Sequence, residues 1–193
     1  MFKFKMADIE ISPPVSSLVS DIASSISELG FDVNIGKNNN KQITTTIDQQ
    51  IAEKVGETYR ILLKNQELMV FAEGEEIGKV DLAFLVGDSS TVAYVEIEKS
   101  NKKTLWFDYV KLASKVQEKP NNIGIVICPK NYAHKLGTWN LYEEAVLYRS
   151  HLARLTNNDI LNRISIIGYT QYARFNGKWK KFSPEIVKQI KGS

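Results

Sequence analysis

Three carboxylates define the chemistry this chain could do. Glu96 and Glu98 stand two residues apart at the end of the apolar run "TVAYVEIEK", and Asp81 stands in "KVDLAFLV" just before it. Side chains alternate along a strand, so both glutamates share a face with Val92 and Tyr94, their Cα atoms about 7 Å apart, while Ala93, Val95 and Ile97 share the other. If the intervening "GDSS" folds back symmetrically, Val86 lies opposite Thr91, Asp81 opposite Glu96 and Lys79 opposite Glu98. Like charges directly opposed across a sheet are destabilising, so an Asp81–Glu96 pair calls for a proton or a cation. Oxygen ligands from two neighbouring strands suit Mg2+, with Mn2+ as a substitute, and Mg2+ is typically held by one or two carboxylates plus a substrate phosphate. The chemistry implied is phosphodiester hydrolysis, with Glu98 or a nearby lysine positioning or deprotonating the nucleophile. The same two glutamates would also suit a plain solvated sheet face, with Asp81 paired to Lys79.

The elements that must position these acids follow from periodicity. Leu18, Ile22, Ile26 and Leu29 recur at helical spacing and stop at Gly30; the polar "GKNNNKQ" then reads as a loop. Thr46 and Gln49 form a capping box, and Ile47, Ile51, Val55, Tyr59 and Leu62 predict a second helix running to about Lys64. Three strands are expected next, "ELMVFAE", "KVDLAFLV" and "TVAYVEIE", separated by "GEEIG" and "GDSS". Leu105, Tyr109, Leu112 and Val116 predict a helix ending near Pro120, and "NIGIVIC" a buried central strand. Leu141, Ala145, Tyr148, Leu152 and Leu155 predict a further helix, "RISIIGYTQYARF" a strand, "NG" a tight turn into "KWKKF", and Ser183–Pro184 a short final helix.

This pattern resembles the core of the PD-(D/E)XK nuclease superfamily, the restriction endonuclease-like fold. The resemblance covers about residues 47–128 and is carried by "VD" at Val80–Asp81 and "EIEK" at Glu96–Lys99. It implies that Asp81 and Glu96 bind metal. The family usually has lysine where this chain has Glu98, so the match is to the E-x-E variant of BamHI-like type II restriction enzymes. Glu98 is then the general base or a further metal ligand; otherwise Lys79, Lys99 or Lys111 replaces the missing lysine, or catalysis is lost. The family often supplies an extra acid from the second helix, for which Glu57 is the candidate, although Glu53 and Glu57 both lie off its apolar face. A homodimer cutting double-stranded DNA to leave 5′-phosphate and 3′-hydroxyl ends is implied. The alternatives are a junction or repair nuclease with the same core, and a non-catalytic nucleic-acid-binding or protein-interaction module.

Lys102, Lys103, Lys111 and Lys115 surround the helix after the motif and could contact phosphate, though a charged outer helix face predicts the same residues. Phe107 points off that helix's apolar face, and "GKWKKF" mixes Trp179 with lysines, a pattern that fits nucleic acid or a simple packed hairpin. His134 and His151 have no cysteine or acid at ligand spacing. The lone Cys128 reads as a buried thiol, and no Gly-rich phosphate loop occurs. With 193 residues, 43% hydrophobic content and a net charge of +3, the expectation is a single α/β domain with a mixed central sheet flanked by helices, in a cytoplasmic protein.

Overall fold

The computed structural model describes residues 9–12, 16–26, 31–32, 40–63, 68–72, 75–86, 90–99, 101–134, 137–156, 159–175 and 177–191. In chain order the elements are β1 (Glu10–Ser12), α1 (Ser17–Ile26), β2 (Phe31–Asp32), α2 (Asn40–Thr58), β3 (Arg60–Leu63), β4 (Leu68–Ala72), β5 (Glu75–Val80), β6 (Leu82–Leu85) and β7 (Val92–Ile97). Then come α3 (Leu105–Gln117), β8 (Ile123–Pro129), β9 (Tyr132–His134), β10 (Gly137–Trp139) and α4 (Leu141–Thr156). A short 3-10 helix at Asp159–Arg163 leads to β11 (Ile164–Tyr169), β12 (Tyr172–Phe175), β13 (Lys178–Lys181) and α5 (Pro184–Lys191).

A mixed six-stranded sheet in the order β1-β11-β8-β7-β6-β3 forms the centre. Strands β7, β8 and β11 run parallel, and β6, β3 and β1 pair antiparallel to their neighbours. Helices cover both faces. On one face Ile22 of α1 and Ile51 of α2 pack with Val95, Ile125, Ile127 and Ile167. On the other, Leu105, Tyr109 and Leu112 of α3 and Leu141 of α4 pack with Tyr94, Val126, Cys128 and Ile166. Each fully buried Ile or Leu contributes about 1.5–3 kcal/mol, so these two layers hold the sheet between both helix pairs. β8 is apolar on both faces because it is central and parallel, as "NIGIVIC" predicts.

Several expectations change. The second helix starts at Asn40 rather than Thr46, so part of "GKNNNKQ" is helical, and it ends at Thr58. Residues 60–63 form β3 instead of a last helical turn. Tyr59 and Leu62 fit helical spacing by coincidence; the open edge of β6 takes the segment as a strand, with a bulge between Ile61 and Leu63. The expected meander is divided too. "KVDLAFLV" breaks at Asp81, most of "GEEIG" belongs to β5, and β4–β5 form a separate hairpin. The antiparallel unit of the main sheet is β3–β6–β7.

"RISIIGYTQYARF" likewise splits at Thr170–Gln171, sending β12 to a second sheet of order β13-β12-β2. Leu155 is 76% exposed and leaves the apolar face of α4. The Gly30 helix stop and residues 87–89 of "GDSS" lie outside the described residues. Among the described residues no helix is long and apolar enough to cross a membrane.

Candidate active site

The hairpin register set by "GDSS" is the expected one. Val86 N–H donates to Thr91 O at 3.1 Å, and Leu85↔Val92 through Leu82↔Val95 follow. Extending that ladder one rung brings Asp81 opposite Glu96. Asp81 sits at the bend between β5 and β6, where it accepts a hydrogen bond from Ile97 N–H at 2.7 Å and so replaces the ladder partner that the break removes. The Lys79–Glu98 pairing does not form as a rung, because β5 turns away at Asp81 and pairs with β4, setting Lys79 opposite Met69.

Strand alternation holds, yet both faces of β7 are covered. Ala93, Val95 and Ile97 enter one core and Tyr94 the other. Glu96 therefore lies under α3, only 2% exposed, instead of on an open acidic face. α3 supplies its partner: Lys111 Nζ lies 2.7 Å from Glu96 Oε1, although that oxygen lacks a well-aligned hydrogen bond. The same ammonium lies 3.2 Å from Asp108 Oδ1 and donates to Lys79 O at 2.9 Å. An ammonium has three N–H donors, and three oxygens surround this one. Burial pulls Lys111 down, but Glu96 and then Asp108 outweigh it and raise its pKa. Burial, and next Asp81, push Glu96 well above the usual carboxylate range against the pull of Lys111. Asp108 is raised to about 6, chiefly by burial, with Lys111 opposing.

Glu98 continues the β7 backbone, its N–H donating to Ile127 O at 3.0 Å. Its carboxylate is gathered by the loop that enters α3. Lys99 N–H at 2.8 Å and Asn101 N–H at 2.9 Å donate to Oε1, and the Thr104 hydroxyl donates to Oε2. Lys99 Nζ reaches back to α2, 2.5 Å from Asp48 Oδ2. Asp48 is raised to about 6, first by burial, against Lys99, with Asp81 and Glu98 adding repulsion. Its other oxygen is buried without a hydrogen-bond partner. Tyr169, buried at the end of β11, is raised by burial and more weakly by Cys128, Asp48 and Glu98.

Asp48 and Asp108 are the two acids that sequence reasoning passed over. Asp48 lies inside the Thr46–Gln49 capping pattern and Asp108 three residues before Lys111 on a helix, so neither carries a local signal of its own. Glu57, the residue considered for the helix acid, is exposed and pairs with Lys54 at 3.4 Å. Of the lysines considered for phosphate, Lys111 is buried, Lys102 pairs with Glu144, Lys115 pairs with Glu118, and Lys103 is exposed. Cys128 is fully buried, and burial pushes its thiol well up. Phe107 is 48% exposed, but its ring lies beside Gly78 of β5 and 5.7 Å from Lys111 Nζ.

Asp48, Asp81, Glu96, Glu98 and Asp108 thus share one end of the sheet with Lys99 and Lys111. Among the described residues no three His, Cys, Asp or Glu side chains converge closely enough to ligate a metal as they stand. Glu96 turns to Lys111 and Glu98 to its own loop. The donor set still fits a hard cation, because carboxylates outnumber ammonium groups and Asp48 keeps a buried, unpartnered oxygen. No family model matches the chain, and no curated protein matches its sequence.

Proposed function

We propose that this chain is a Mg2+-dependent DNA endonuclease on a restriction endonuclease-like core, able to use Mn2+, and acting as a type II restriction enzyme on double-stranded DNA as a homodimer. The observation that carries this reading is the surplus of buried negative charge where α2, the β5–β6 bend, β7 and α3 meet. Asp48 and Asp108 are each held up to about 6 there, and such perturbed groups cluster at functional sites. The order helix, strands, helix, strand around the "VD" and "EIEK" motifs supports the core assignment. Exposed Trp106, Phe107 and Val110 on α3 offer apolar surface for a second copy.

Asp81, Glu96 and Glu98 would hold the ion, with Asp48 beside them. A bound Mg2+ supplies charge neutralisation at the phosphate, a more acidic water and a stabilised leaving oxygen. The chain supplies the frame. Ile97 N–H fixes Asp81, and Lys111 favours the charged form of the buried Glu96 against the opposing effects of burial and Asp81. Donor count separates the candidate lysines: Lys111 has three acceptors already, whereas Lys99, with its side chain 22% exposed, pairs with Asp48 and has donors left for phosphate. Lys79 is exposed, and it is its carbonyl that enters the cluster. Lys99 therefore takes the role of the lysine absent from position 98.

A second reading, a nuclease-like fold that grips nucleic acid or a protein without cutting it, is favoured by Glu98, both of whose oxygens are occupied by its own loop. Plasmid incubated with pure protein and Mg2+ separates the two. Cleavage with 5′-phosphate ends is expected, falling by about 100-fold or more in Asp81→Ala and Glu96→Gln with circular dichroism unchanged. Cleavage that survives both substitutions overturns the site assignment. Preference for branched over linear duplex would point to a junction or repair nuclease.

A further inference from the structure

We propose that the β12–β13 hairpin is a cationic grip for the phosphate backbone of duplex DNA beside the carboxylate cluster. This rests on the nuclease reading for the identity of the polyanion, but its grounds are separate. From Tyr172 to Phe182 the chain carries Arg174, Lys178, Lys180 and Lys181 and no acidic residue. Lys178 and Lys180 share a face of β13, about 7 Å apart. All three lysines are exposed, and among the described residues none of them forms an ion pair. Like charges held at that spacing repel, a cost that an anion lying across them removes.

The hairpin is also fixed rather than trailing. Buried Asn131, just beyond β8, donates to Gln171 O and to Phe182 O, each at 3.0 Å, and accepts from Gln171 N–H at 2.7 Å. Phe182 N–H donates to Gln171 O at 2.9 Å, closing the base. The Arg174 guanidinium lies over the Trp179 ring, 5.6 Å from its centroid, on the face of the hairpin that carries Lys181 and opposite Lys178 and Lys180, so cationic groups line both sides of the β13 edge. Gly177, at φ 74°, allows the tight turn between the strands.

Gln171 follows Tyr169 by two residues, and Tyr169 senses the charges of Asp48 and Glu98. Asn131 follows β8, to which Glu98 is hydrogen-bonded. The hairpin thus springs from the same end of the sheet as the carboxylates. β13 is the outer strand of its sheet, and lysines there could instead guard against edge-to-edge pairing.

The test compares wild type, Lys178→Gln/Lys180→Gln/Lys181→Gln and the matching triple Lys→Arg variant. Each is titrated with a labelled mixed-sequence duplex, without divalent metal, across a salt series. The Gln triple should lose about tenfold or more in affinity and flatten the log–log salt slope by about 0.9 per lost phosphate contact, while the Arg triple binds like wild type. Melting temperatures should match, since the lysines are exposed. An unchanged affinity and slope in the Gln triple sinks the grip; if it also self-associates on gel filtration, the lysines are edge guards. Tighter wild-type binding to vesicles of anionic phospholipid than to duplex also overturns it. Loss of DNA affinity in the Gln triple together with no cleavage by wild type leaves the grip standing and removes the nuclease reading.

Discussion

Lys111 shows how one side chain can decide the state of a site. It is 8% exposed between Glu96 at 2% and Asp108 at 6%, so removing its charge strands two buried carboxylates. Lys111→Met should cost about 3–5 kcal/mol in urea unfolding at neutral pH, with the loss shrinking in acid as the carboxylates protonate. A matching change at exposed Lys103 should stay within about 0.5 kcal/mol. The raised acids set the pH response of the metal-free protein. Asp48 and Asp108 lose their protons near 3.8 when unfolded but hold them to about 6 when folded. Between those values the folded state binds more protons, so stability falls as pH rises through the window and levels off above it. Thermal melts should show this decline, and Asp48→Asn should remove its share of it, melting above wild type at neutral pH and level with it at the acid end. Asp81, Glu96 and Glu98 were legible because strand alternation and one turn decide where they point. Asp48 and Asp108 were not, because a charge on a helix carries no local mark of what the sheet brings beside it.

At the scale of elements, long periodic segments were legible and short apolar ones were not. Leu105, Tyr109, Leu112 and Val116 are all fully buried on α3 as their spacing predicts. "RILL" and "GEEIG" went the other way, because a run of four or five residues satisfies helix, strand or turn patterns alike until a neighbouring edge claims it. The break at Asp81 also turns β5 out of the main sheet and lays it on α3. Gly78 is the contact that permits this: at φ 146° it needs no Cβ, and one placed there would lie 3.0 Å from Phe107 Cε1 and 3.1 Å from Lys111 Cδ. Gly78→Ala should cost about 1–3 kcal/mol in denaturant unfolding. Amide exchange in β4–β5 should accelerate with it, since the alanine pushes on the lysine that holds Glu96.

For the whole molecule, the sheet acts as a wall between two cores, and the acids collect at the end where β7, β8 and β11 finish. A cation bound there should stabilise the folded state by mass action, about 2.7 kcal/mol at a hundred times its Kd. Mg2+ or Mn2+ should therefore raise the melting temperature of wild type and leave that of Asp81→Ala unmoved, whereas an equal rise in both would place the bound ion elsewhere. The amino-acid sequence alone determined the α/β class, the helices on either side of a central "NIGIVIC" strand, and the register that brings Asp81 opposite Glu96. Those features follow from periodicity and turn geometry, which act over a few residues. Only the tertiary structure decided that Glu96 is buried against Lys111, and that Asp48 of α2, paired with Lys99, lies beside these acids while Glu57 stays exposed. Burial and charge pairing are set by segments far apart in the chain, and no local spacing records them.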